Sequence, residues 1–168
     1  MLFPRRLVCL PLTGILLLAC AACTILPKKQ PPPLPAAFVR EVTVTFNATT
    51  LQAKLTQLRP GFLTAQFTAP KELTGLTASL EGERISLRYG ALQTQWQEQV
   101  LPASGFLPLL NRVLLQLSQP QEEASIRREG GWLCKSTVDG AAYAVWLGTD
   151  GLPERLSVPG LGLLVELN

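Results

Sequence analysis

The chain has 168 residues, 47% of them apolar, with 15 basic and 12 acidic side chains and no histidine. The missing histidine excludes Ser-His-Asp and Cys-His nucleophilic arrangements and removes the commonest metal ligand. Arg5 and Arg6 belong to the leader described next; without them 13 basic residues face 12 acidic ones, a dispersed balance that excludes a phosphate-tracking surface and hence nucleic acid as partner.

In chain order, Arg5-Arg6, the apolar stretch Leu7 to Ala19 and the small residue before Cys20 read as a secretory signal with a lipidation site. Residues 1–19 are expected to be removed, leaving Cys20 as a diacylated N-terminus carrying palmitate-type chains; Cys23 is the alternative acylated residue. Read as a transmembrane anchor instead, Leu7 to Cys23 falls at the lower limit for spanning a bilayer and is interrupted by Pro11 and Gly14. Two acyl chains anchor stably without a further membrane helix. The expected location is therefore the extracytoplasmic face of the cell membrane, with the lipid anchor making the membrane one partner. Residues 20–37 then form a tether carrying Lys28-Lys29 and the run Pro31-Pro32-Pro33-Leu34-Pro35. As extended polyproline II at about 3.1 Å per residue, its stretch from Thr24 to Ala37 spans up to roughly 40 Å.

Residues 38–168 form one domain, and their hydrophobic period is two, the mark of strands with one buried face. Val42, Val44 and Phe46 share a face; Leu51, Ala53 and Leu55 follow; after the Arg59-Pro60-Gly61 turn come Leu63, Ala65, Phe67 and Ala69. Leu76, Ala78 and Leu80 lead into the Glu81-Gly82-Glu83 hairpin, Ile85, Leu87 and Tyr89 return, and Gly90 marks a reversal before Leu92, Thr94 and Trp96.

The alternation stops at Pro102-Ala103-Ser104-Gly105. Leu107, Leu110, Val113, Leu114 and Leu117 then fall at helical spacing, and Gln119-Pro120 ends the helix. Five short strands follow: Ser125 to Glu129, Trp132 to Val138, Ala142 to Leu147, Glu154 to Val158 and Leu163 to Leu167. Asp139-Gly140 and Asp150-Gly151 are hairpin dipeptides. The expected fold is mainly β with one principal helix (α+β): a curved antiparallel sheet, or incomplete barrel, with the helix on its concave apolar face.

No residue set prescribes a reaction. Glu81 and Glu83 flank a turn, Glu122-Glu123 follows the helix, Asp139 and Asp150 belong to turns, and Glu98, Glu129 and Glu166 lack a second group at defined geometry. The chain is expected not to be an enzyme and to need no cofactor or metal. Cys134 reads as a small buried thiol, with a Cys23–Cys134 disulfide as the alternative that an extracytoplasmic compartment permits. Trp96 and Trp132 fit apolar faces. Trp146 is out of phase with Tyr143 and Val145; packing under the helix is the expectation, an outer contact surface the alternative.

The segment Phe67-Thr68-Ala69-Pro70-Lys71-Glu72-Leu73-Thr74-Gly75-Leu76, the Gly82 hairpin, Tyr89-Gly90-Ala91-Leu92, the single helix, and Asp150-Gly151-Leu152-Pro153 before Leu156-Ser157-Val158-Pro159 together resemble bacterial lipoproteins of the lipoprotein-localisation factor (LolA/LolB-like) fold. The resemblance is strongest to the small anchored kind of spore-forming Gram-positive bacteria. It implies a half-barrel whose concave face is formed here by Val42, Val44, Phe46, Leu63, Phe67, Leu110, Val113, Leu114 and Leu117. It also implies a non-enzymatic role as an envelope or germination accessory factor that binds a protein partner or apolar group. The alternative it implies is a lipid or lipoprotein carrier or acceptor with an acyl-binding cavity. Carriers of this fold hold their lid through a cavity arginine; Arg40 shares the parity of Val42 and Val44 but reads as an ordinary strand-end residue.

Overall fold

The computed structural model describes residues 31–97, 105–119, 125–128 and 130–168. Cys20, Cys23, the leader, Lys28-Lys29, Glu98, Glu122-Glu123 and Glu129 lie outside them. Eleven strands form one antiparallel sheet: β1 (Phe38–Phe46), β2 (Thr49–Arg59), β3 (Phe62–Ala69), β4 (Leu76–Glu81), β5 (Arg84–Tyr89), β6 (Leu92–Gln97), β7 (Ser125–Arg128), β8 (Gly131–Val138), β9 (Ala141–Gly148), β10 (Pro153–Val158) and β11 (Leu163–Leu167). Among the described residues one α-helix, α1 (Phe106–Leu117), lies in sequence between β6 and β7.

The order across the sheet is β6-β5-β4-β3-β2-β1-β11-β10-β9-β8-β7. Two meanders are therefore joined in the middle by the first and last strands, with Val44 opposite Val165 and Val42 opposite Leu167. The sheet is open, with β6 and β7 as its edges, and α1 links the two edge strands in sequence. Its curvature follows from what the helix touches. On one side the Phe106 ring meets Phe67 of β3 edge to face, centroids 6.0 Å apart. On the other, Gln116 Nε2 donates to the Thr137 carbonyl of β8 at 3.3 Å, and Arg112 Nε lies 2.9 Å from the Asp139 carboxylate beyond it. In a flat sheet β3 and β8, six ladder steps apart, would be separated by about 29 Å. A helix is only ~10–12 Å across. The sheet must bend around the helix.

The alternation that defines the strands sorts residues accordingly. Val42, Val44, Ala53, Leu55, Leu63, Ala65, Leu80, Val145, Leu156, Leu163 and Val165 point inward and are buried, joined by Leu107, Leu109, Leu110, Val113, Leu114 and Leu117 of α1 in one core. A helix apolar on nearly every side belongs in the middle of a fold. Many outward positions are polar, as where Thr64 Oγ1 donates to Ser79 Oγ across β3 and β4 at 3.1 Å. The β8–β9 hairpin turns on Asp139 (φ 51°) and Gly140 (φ 78°), the left-handed pair that suits a two-residue turn.

The proline run departs from the expected free tether. Pro31 to Ala37 are seated on the domain: Leu34 is buried in the core, and the buried Gln57 side chain donates through Nε2 to the carbonyls of Ala36 (3.2 Å) and Pro35 (3.5 Å). Gly151, at φ 80°, lies against Pro32 and Pro33, where a Cβ would come within 3.1–3.2 Å of both. Prolines are stiff before docking, so holding them costs little conformational entropy. The reach of any tether is thus counted from residue 30 backwards.

Candidate functional site

The inner face named from the sequence becomes a single packed region. Val42, Val44, Leu63, Phe67, Leu110, Val113, Leu114 and Leu117 are all buried, and Phe46 packs against them half-buried. These residues are brought together as the core beneath and within α1, so the central concavity is occupied by the protein's own helix. Apart from part of Phe46, no open surface remains at those positions.

The inner face nevertheless continues past the helix. Cross-strand partners share a face in an antiparallel sheet, and the ladders place three rows on the side of Leu63 and Ala65: Leu80–Ile85–Trp96, Ala78–Leu87–Thr94 and Leu76–Tyr89–Leu92. Burial declines row by row. Leu80 and Ile85 are 0% and 3% exposed, Leu76 and Leu87 are half-buried, and Tyr89 and Leu92 are 53% and 74% exposed. The result is an apolar cleft of about 390 Å³ lined by Leu76, Leu87, Tyr89, Leu92, Gln93 and Thr94. Its size lies in the range of small-ligand sites, and its lining is apolar apart from Gln93, Thr94 and the Tyr89 hydroxyl. The sequence reading placed all these residues in strands but not in a site. The available signal was the unbroken inward parity across β4, β5 and β6 combined with a helix too short to cover so many strands.

Other singled-out residues fall elsewhere. Arg40 lies near the strap that Pro31 to Ala37 form across the domain, its guanidinium 3.8 Å from Asp150 in the β9–β10 turn, both partly exposed; pairs of this kind contribute little. Trp96 is half-buried on the inner face of β6 and Trp132 packs half-buried against the core. Trp146 is a correction: its parity puts it on the outer face, opposite Arg155, whose guanidinium sits 5.4 Å from the ring centroid, and not under the helix. Cys134, on β8, is buried. Its possible partner Cys23 lies outside the described residues.

Two buried polar groups accompany the core. Asn111, on α1, is 4% exposed and its Oδ1 accepts no hydrogen bond among the described residues. Tyr143, on β9, is 3% exposed. Burial pushes its phenol above the usual value, because the phenolate loses hydration in an apolar setting. Ser136, directly opposite on β8, lowers it and Cys134 raises it further, but burial outweighs both. Among the described residues no three His, Cys, Asp or Glu side chains gather as a metal site, and no helix is long and apolar enough to cross a membrane.

The fold and cleft define a class: an open antiparallel half-barrel wrapped around one helix, with an apolar site on one flank. No protein-family model matches the chain, and no curated protein does. Similar solved structures include an uncharacterized conserved protein from Thermus thermophilus, with a TM-score of 0.43 and 14% identity, covering 77% of this chain and 75% of that one. They also include a LolA superfamily protein from Nitrosomonas europaea, with a TM-score of 0.40 and 10% identity, covering 74% of this chain and 64% of that one. At these scores and identities neither likeness extends to ligand, partner or reaction.

Proposed function

We propose that the chain is a lipid-anchored, extracytoplasmic, non-enzymatic binding protein of the lipoprotein-localisation kind, acting as an envelope or germination accessory factor, and that it takes an apolar group into the β4–β6 cleft. The observation that carries this reading is the decline in burial along the inner face, which leaves Leu76, Leu87, Tyr89 and Leu92 presented to solvent beside a filled core. Contiguous exposed apolar surface of this kind marks binding sites. The leader and Cys20 support the anchor. With Leu109, Leu110, Val113 and Leu114 occupying the concavity, the carrier alternative, with an acyl chain swallowed beneath the helix, is the weaker reading. The cleft suits a short apolar segment, either an acyl end or a side-chain cluster offered by a partner protein.

Each methylene seated in the cleft contributes about 0.8 kcal/mol; seven give roughly 5.5 kcal/mol, a Kd near 0.1 mM. The test is fluorescence titration of the purified protein with a dansylated C11 fatty acid. Leu92→Asp, at an exposed position, leaves folding intact and weakens binding at least tenfold. Equal binding by this variant removes the cleft as the site, and tight retention of extracted long-chain lipid restores the carrier reading. Cys20→Ala separately releases the protein from membranes or leaves its precursor unprocessed; normal processing and retention moves the anchor to Cys23 or ends the lipoprotein reading.

A further inference from the structure

Among the described residues, two further large apolar side chains are exposed at a distance from the cleft. Val39 is 55% exposed and Leu58 70%. Both sit where β1 begins and β2 ends, with Phe38 opposite Gln57 fixing their proximity as diagonal neighbours. Next to them Arg59 stacks its guanidinium 3.6 Å above the ring of Phe62. Gln57, between Leu58 and Thr56 in sequence, points the other way and holds the strap through Ala36 and Pro35. The exposed shoulder and the docked proline run therefore share one end of the sheet. The cleft residues Leu76, Tyr89 and Leu92 belong to the opposite end, because β2 and β4 each run towards the strap end while β5 runs away from it.

We infer that the shoulder formed by Val39, Leu58, Phe62 and Arg59 rests on the bilayer surface to which the chain is anchored, leaving the cleft directed away from that membrane. The inference depends on the lipid-anchor reading above. Its basis is the short distance between anchor and strap: Cys20 precedes Pro31 by eleven residues and Cys23 by eight, so even fully extended links reach only about 38 and 28 Å. A random link averages roughly 15–20 Å, less than the length of β1. Because the strap is docked, that link starts at the strap end, and it is this end which is held near the lipid. A pair of aliphatic side chains alone binds a membrane poorly. When the anchor is already inserted, contact becomes intramolecular at millimolar effective concentration. An arginine over an aromatic ring suits the interface, apolar stem inward and charge at phosphate level. The adjacent hairpin carries Glu81, Glu83 and Arg84, which together with Arg59 leave this end without net charge, so the contact is apolar in character and insensitive to the share of anionic lipid.

The consequence for function is the source of the ligand. An apolar group reaching the cleft is delivered from the side facing away from the anchoring membrane, by a soluble or opposing partner, and not drawn from the adjacent leaflet.

The test places the photoreactive residue p-benzoylphenylalanine at position 58, 39 or 50 of the full chain in its native membranes, with radiolabelled phospholipid and parallel palmitate labelling; Thr50 is exposed at the opposite end of β2 and outside the cleft. Positions 58 and 39 are expected to give at least fivefold more lipid adduct than position 50, unchanged by added salt. Equal or inverted yields in palmitate-labelled protein overturn this inference and leave the anchor standing. Absence of the palmitate label overturns both.

Discussion

Leu114→Ala probes whether α1 fills the half-barrel. Leu114 is 2% exposed and belongs to the core shared by the helix and sheet. Truncation removes three carbons, about 2.4 kcal/mol at ~0.8 kcal/mol each. The helix is gripped on both sides, at Phe67 through Phe106 and at Thr137 and Asp139 through Gln116 and Arg112, so the surroundings cannot close over the gap and a cavity term adds to the transfer term. The expected loss is about 3–4 kcal/mol, or roughly 10–15 °C in Tm for a domain of this size. Urea unfolding followed by tryptophan fluorescence measures it, with an unchanged m-value certifying that the comparison is of stability alone. Leu92→Ala, at a position 74% exposed, serves as the control and is expected to change stability by no more than about 0.5 kcal/mol. A loss below about 1 kcal/mol for Leu114→Ala, or equal costs at the two positions, would refute the packed-concavity account.

Two further predictions concern the buried polar groups. Asn111→Leu replaces an amide whose oxygen has no donor among the described residues with an apolar side chain of similar size, and denaturant unfolding is expected to show a gain of about 1 kcal/mol; a loss of that size would mean the amide has a partner. Tyr143, its phenol pushed upward by burial, binds its proton more tightly in the folded than in the unfolded state. Its contribution is therefore fully present below pH 10, the unfolded value, and is lost as pH rises through the higher folded one. In a Tyr89→Phe background, which leaves Tyr143 as the chain's remaining tyrosine, absorbance at 295 nm should report ionisation above pH 10 that coincides with falling stability. Ionisation below pH 10 in the folded protein would contradict the burial.

Much of the architecture was legible because side-chain period depends only on neighbours in the chain. Alternation assigned Val42, Val44, Leu63 and Phe67 to one face, the spacing from Leu107 to Leu117 marked the helix, and Asp139-Gly140 marked a turn whose left-handed backbone those residue types favour. The Asn47-Ala48 turn was less legible, since Ala48 adopts φ 67° without the glycine that usually signals it. Parity also put Trp146 out of phase with its buried neighbours without saying which face met the core; only its pairing with Arg155 on β10 decided that. The seating of Leu34, the joining of the meanders through β1 and β11, and the uncovered rows at Leu76, Tyr89 and Leu92 depend on residues far apart in sequence. Local pattern sets which side of a strand is greasy, but how far the sheet curls, and therefore how much of that side a single helix can cover, is a property of all eleven strands packing together.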